Sequence, residues 1–389
     1  MRAEPDIDRL AVKLSLFAIG IGSAGMLLIK PVVVGGLIDT FGYTPRAAGM
    51  VAGIEMAGVG IGTLIIVLFG SKWNGRAIAV VGATIGVAAS IGPTLWSGFA
   101  VVLAFRLCAG IGCGVLASVV IAAIASTRDP DRSFSLYYMT AALTAALLFP
   151  TATALVAAFG VRAAYIFLSV LLLPVFAMLN MIPNQRATKR TFASVGESFP
   201  FGKAAISLSA SVIYWIGTGA TWAFIERIGV SSGVAEAQVG GILASSQATF
   251  VLGALSASIL YTRIGRTIPA VGCVLLSLLA LGIIRFAPGE IGFAAGVLLF
   301  TFAWMFFFPY MSGTMAAQDH AGRIAVLGVP SQTLGLALGP TIAGYLVRGA
   351  DYHAVVLFSA SAYAISIMVF LPALLLADRI PPKPVTAEA

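Results

Sequence analysis

Three ionisable side chains, Lys30, Glu55 and Arg106, each stand well inside a long apolar stretch of this sequence. An unpaired charge in hydrocarbon costs at least roughly 2.5–3.5 kcal/mol on insertion scales, so keeping three of them calls for a reason. Two cations and a carboxylate can do one kind of chemistry together. Lys30 and Arg106 can hold an organic anion, and Glu55 can take up and release a proton as its surroundings change. Each residue also has a structural alternative. Lys30 precedes Pro31, so the first apolar stretch could end there with the ammonium snorkelling to the interface. Glu55 could be no more than a partner for Lys30, and Arg106 could bond neighbouring carbonyls.

The elements that must position these residues are set by composition. Of 389 residues, 59% are hydrophobic and only 10% charged, far from the roughly one quarter charged in soluble domains. Up to twelve stretches are long enough to cross a hydrocarbon core of about 30 Å, and lipid leaves no partner for an open backbone, so each is read as a helix. The first lies at 11–38, the second at 45–69, the fourth at 99–126 and the sixth at 163–182. At 1.5 Å per residue, Lys30, Glu55 and Arg106 lie about 12, 15 and 10 Å from the same ends of their helices. This common depth predicts that they meet. The acidic start, with Glu4, Asp6 and Asp8 and no small-residue cleavage site, makes the first stretch a retained helix rather than a signal peptide.

With the N-terminus inside and twelve spans, 16 of the 23 lysines and arginines fall on the inner side, which places both termini in the cytoplasm. The net charge of +8 follows from this bias and suggests no nucleic-acid partner. Cys108, Cys113 and Cys273 lie inside spans without metal or redox spacing.

The second half of the chain differs. It carries no charge from Glu236 to Arg263 or from Glu290 to Asp319, and offers aromatic surface instead. Tyr214, Trp304 and Tyr310 are candidates for substrate contact, with the neutral Gln247 and Gln332 beside them. Packing against lipid or core is the alternative for each aromatic residue, and Gln332 could equally bond a neighbouring helix.

Residues 184–200 form the longest polar interruption and divide the spans six and six. Shifting the first half by 190 or 191 positions brings Gly49 onto Gly240, Gly62 onto Gly253, Gly75-Arg76 onto Gly265-Arg266, Pro150 onto Pro340 and Glu55 onto Ser246. An internal duplication explains this, and secondary transporters are commonly built that way. The expected organisation is a six-helix half at 1–183, a cytoplasmic loop at 184–202 and a second six-helix half at 203–389.

Over nearly its whole length the sequence resembles the major facilitator superfamily. The loop after the second span, LFGSKWNGR, keeps the family's Gly75 and Arg76 but has Lys72 where an acid is usual; its second copy, YTRIGR, keeps Arg263, Gly265 and Arg266. The fourth span carries Arg106, Gly110, Gly112 and Gly114 in the family's R-x-x-x-G-x-G-x-G pattern, and GVRAAYIF at 160–167 matches the start of its sixth span. The antiporter pattern of the fifth span is reduced to Pro150.

The resemblance implies an all-α membrane protein of twelve transmembrane helices in two pseudo-symmetric bundles. It also implies gating by the two glycine-arginine loops and a part for Arg106 in coupling or substrate contact. The expected activity is proton-coupled symport of a small organic anion, aromatic or otherwise apolar, by a monomer without a cofactor in the inner (plasma) membrane of a bacterium. Proton-coupled export of hydrophobic compounds is the competing reading. An enzyme is not expected, since no H-E-x-x-H, paired intramembrane aspartates or Ser/His cluster is present.

Overall fold

The structure, a computed structural model, describes residues 6–70, 73–182, 200–260, 264–319, 323–349 and 351–379. The first half contains α1 (Leu10–Phe41), α2 (Pro45–Phe69), α3 (Gly75–Leu95), α4 (Phe99–Ala125), α5 (Pro130–Phe159), α6 (Val161–Leu172) and the short α7 (Pro174–Ala177). The second contains α8 (Phe201–Ser231), α9 (Glu236–Leu260), α10 (Thr267–Phe286), α11 (Glu290–Gln318), α12 (Arg323–Leu346) and α13 (His353–Asp378). Eleven of these, among the described residues, are long and apolar enough to cross a membrane.

Local chemistry sets many of the ends. Gly42, at φ 66°, closes α1 in the left-handed conformation that glycine adopts freely. The Thr44 hydroxyl accepts from Ala47 N and Pro45 opens α2, while Asn74 accepts from Arg76 N and Ala77 N to cap α3.

Two sequence expectations need correction. The sixth span is not one helix: α6 stops at Leu172, and α7 and a 3₁₀ turn at Leu179–Met181 carry the chain on to Ile182. Pro174 lacks an N–H and its ring clashes with the preceding turn, which breaks the ladder there. The loop expected at 184–202 is shorter at its far end, because α8 already begins at Phe201; residues 184–199 lie outside the described residues.

Glycines bring helices into backbone contact within each half. A methyl group added to Gly62 on α2 would collide with the Ile111 carbonyl on α4, and one added to Gly253 on α9 with the Phe302 carbonyl on α11. Both members of the pair are displaced by 191 positions, so the duplication read from glycine spacing is a duplication of contacts. The arginine loops repeat as well. Arg76 Nε donates to the Ile182 carbonyl at 2.8 Å, and Arg266 Nη1 to the Ala377 carbonyl at 2.9 Å. Each arginine thus ties the start of one helix to the end of the last span of its own half.

The halves meet at the end of the molecule that carries the α1–α2 turn. There Arg227 of α8 forks onto both carboxylate oxygens of Asp39 on α1, and Arg46 Nη2 donates to the Tyr345 hydroxyl at 2.9 Å with its guanidinium over that ring. Gly49 on α2 backs onto the Pro340 carbonyl of α12, and Gly240 on α9 onto Thr153 of α5. The second pairing is the pseudo-twofold copy of the first. At the opposite end, Asp8 pairs with Lys13 and Arg128, and Ser207 with Gln318, each within a single half. The bundle is sealed at one end.

Candidate functional site

The three buried charges expected from sequence do come together. Glu55 on α2 and Arg106 on α4 form an ion pair, Nη2 to Oε1 at 3.3 Å, with side chains 2% and 1% exposed. The same Nη2 reaches Ser90 Oγ on α3 at 3.3 Å, and the guanidinium lies 4.9 Å above the Tyr165 ring of α6. Lys30 on α1 is fully buried and close enough to Glu55 for their charges to interact. Glycine makes this approach possible: Gly110, one turn after Arg106, packs directly on the Glu55 carbonyl.

The cluster lies within the core of the first half. Its walls come from α1, α2, α3, α4 and α6, and Gly22, Met26, Cys113 and Leu168 complete them around a void of about 10 Å³, room for no more than a single water. Of the residues lining it, Glu55 Oε2 and Arg106 Nε and Nη1 have no hydrogen-bond partner among the described residues, and neither does the buried Lys30 Nζ. Two cations and one carboxylate leave one excess positive charge. Buried charges without full pairing are costly.

The snorkelling alternative for Lys30 is overturned, because α1 continues through Pro31 to Phe41 and the ammonium is enclosed. Pro31 has a different effect. It cannot supply the amide that would pair with the Leu27 carbonyl four residues earlier, and Trp222 of α8 fills the gap, donating Nε1–H to that oxygen at 3.0 Å. One turn of α1 thus carries both the charge cluster, through Met26 and Lys30, and a bond to the second half.

Trp222 belongs to an aromatic cluster on the boundary between the halves. Its ring is edge-on to Phe149 of α5 at 5.7 Å and to Trp304 of α11 at 5.6 Å. Trp304 also meets Trp215 at 6.0 Å and Phe250 at 5.7 Å. Gln247, one turn before Phe250 on α9, is buried with only a long 3.4 Å bond to the Leu243 carbonyl. The remaining candidates are dispersed. Tyr214 packs inside the second half against Phe307 at 4.5 Å and Tyr363 at 4.9 Å. Tyr310 is buried beside Phe306 at 5.3 Å, its hydroxyl unpartnered. Gln332 is half-buried on α12.

Of the gating residues, Gly75 is buried at the start of α3 and Arg76 holds Ile182. Gly265, at φ 77°, turns the chain so that Arg266 N and Thr267 N both donate to the Asp378 carboxylate, at 2.6 and 3.1 Å. Arg263 and Lys72 lie outside the described residues. Beyond the residues singled out above, Glu226 and Arg227 near the end of α8 meet Asp39 of α1. Glu226 is buried against Arg227 Nε at 3.0 Å, over Gly35 of α1. The signal available was an acid, Asp39, three residues before the Gly42 turn, facing the end of the seventh span.

The family model of the Major Facilitator Superfamily matches residues 14–329. Among solved structures, the chain is similar to a point mutant of the nucleoside transporter NupG, with a TM-score of 0.76 and 13% identity over 93% of this chain and 99% of that one. NupG itself gives a TM-score of 0.71 and 14% identity over 94% and 99%. A bacterial homolog of the human lysosomal transporter Spinster, inward-facing and unoccupied, gives 0.67 and 14% over 95% of each chain. At these identities the likeness is one of fold. No curated protein matches in sequence. A duplicated six-helix bundle with glycine-arginine loops, matched by the family model over most of its length, makes this multi-pass membrane protein a member of the major facilitator superfamily, the transporters of small molecules.

Proposed function

We propose that this transporter carries a small organic anion together with a proton, by alternating access, with Glu55 as the proton site. The observation that carries this reading is the enclosed Lys30–Glu55–Arg106 cluster with its single excess positive charge. When Glu55 takes a proton the ion pair with Arg106 is cancelled and the excess rises to two charges. Anion affinity then rises with protonation, and by linkage the anion favours the proton to the same degree. That mutual preference is what symport requires. The void is too small for an organic solute in this state, so the anion reaches Lys30 and Arg106 only when α1 and α4 move apart. The aromatic boundary around Trp222 and Trp304 gives an apolar ring a surface to follow.

The distribution of lysine and arginine supports an inward-facing assignment for this state, with the Asp39–Arg227 end outside. Arg106 acts in both coupling and anion contact. A second reading, export of uncharged hydrophobic compounds, is favoured by the aromatic boundary alone. One experiment separates them. Proteoliposomes are given an acid-outside gradient and labelled benzoate, or labelled benzamide, with protein-free liposomes as the blank. Gradient-driven accumulation of the acid and not the amide is expected. Equal handling of the two, or no response to the gradient, refutes the symport reading.

A further inference from the structure

A second recess lies away from the charge cluster, on the back of the second half. It is about 390 Å³ in volume and is lined by Gln238, Gly241, Ile242 and Ser245 of α9 and by Glu290, Ala294 and Leu298 of α11. Only these two helices supply its walls, and both are apolar spans, so its open side faces the surrounding membrane. The recess is graded. Glu290 and Gln238 stand at its mouth, where both helices begin; Ile242 lies one turn, about 6 Å, beyond Gln238, and Leu298 about 12 Å beyond Glu290.

The mouth is built to hold a carboxylate in place. Gln238 accepts from Ala235 N at 3.2 Å and donates Nε2–H to Glu290 Oε2 at 2.8 Å, which leaves Glu290 Oε1 for an outside donor. Gly241 forms the floor, and a methyl group there would meet nothing within 4 Å. The first turns of α9 and α11 open at the same place, and free amides at helix starts favour a phosphate. We propose that this groove is a phospholipid site selective for a primary-amine headgroup: the ammonium donates to Glu290, the phosphate sits at the two helix starts, and the upper acyl chain lies along Ile242 and Leu298. A quaternary ammonium cannot donate a hydrogen bond, and an anionic headgroup is repelled by the carboxylate. The site is independent of the transport reading above.

Native mass spectrometry of the purified, delipidated full chain tests this with phosphatidylethanolamine, phosphatidylcholine and phosphatidylglycerol of identical acyl chains. Phosphatidylethanolamine should be retained up to roughly fivefold over the other two, the scale of one exposed charge-assisted contact. Glu290→Gln should abolish the preference, and Gln238→Ala should weaken it by releasing the carboxylate. Gly241→Leu should lower retention of all three lipids by filling the floor, and Asp351→Asn, an exposed acid outside the groove, should change nothing. Equal retention of the three lipids by the wild type, or a preference that survives both Glu290→Gln and Gly241→Leu, overturns the proposal.

Discussion

In the first half Glu55 reaches across to Arg106 from a neighbouring helix; at the duplicated position of the second half, the Ser246 hydroxyl turns back to the Leu243 carbonyl of its own helix. The helix contacts around these two residues are nevertheless copies, Gly62 on Ile111 and Gly253 on Phe302. Backbone contacts of this kind tolerate no added atom, so they persist in both copies, whereas the side chains facing each core are free to diverge. One core has become charged. The other is aromatic, with Tyr214 tilted against Phe307 and Tyr363. The buried charges thus stand in one half, while the core of the other is filled by apolar shape.

The most drastic test of the shared framework is Gly62→Val beside Gly253→Val. Each would force a helix pair apart at backbone level, at a cost beyond the 1–3 kcal/mol typical of overpacking. Both variants should therefore lose folded protein by size-exclusion after extraction, and a tolerated Gly253→Val would break the equivalence.

Next in size is the functional asymmetry. Glu55→Gln should abolish gradient-driven accumulation while Ser246→Ala keeps it within about twofold, since its lost bond is a local one of about 1 kcal/mol or less. Equal loss in the two would return coupling to both halves. Lys30→Met removes an unpartnered buried cation, relieving up to roughly 2.5–3.5 kcal/mol. A higher melting temperature together with weaker anion transport is expected, and a lower melting temperature would mean that Lys30 is held by contacts that stabilise it.

The smallest effect concerns the joint between the halves. The Asp39 side chain is 51% exposed, so its pairing with Arg227 is worth about 1 kcal/mol at most. Asp39→Asn should shift the balance of open and sealed states by no more than about fivefold, read by single-molecule fluorescence between dyes placed on the two halves.

Much of this architecture is legible in the sequence because lipid enforces it. The predicted span 45–69 coincides with α2, since the Thr44 cap and Pro45 fix its start and apolar length its reach. The sixth span was misread as continuous because hydropathy does not register the missing amide of Pro174. Depth along the helices placed Lys30, Glu55 and Arg106 together, but depth is silent about azimuth. Their enclosure by α3 and α6, with Ser90 and Tyr165 as neighbours, depends on which way each helix is turned. For the same reason Tyr214 and Trp304, alike in composition, separate into an inner stack and a boundary cluster.

The bond from Trp222 to the Leu27 carbonyl works as a plug in a permanent socket. A helix that had to surrender one of its own bonds to receive an indole would be damaged whenever the indole withdrew. Pro31 has already removed that bond, so α1 keeps the same ladder with the plug in or out, and only water or tryptophan changes at the oxygen. The exchange costs on the order of one net hydrogen bond, about 0.5–1.5 kcal/mol. A joint of that strength biases a resting state without locking it.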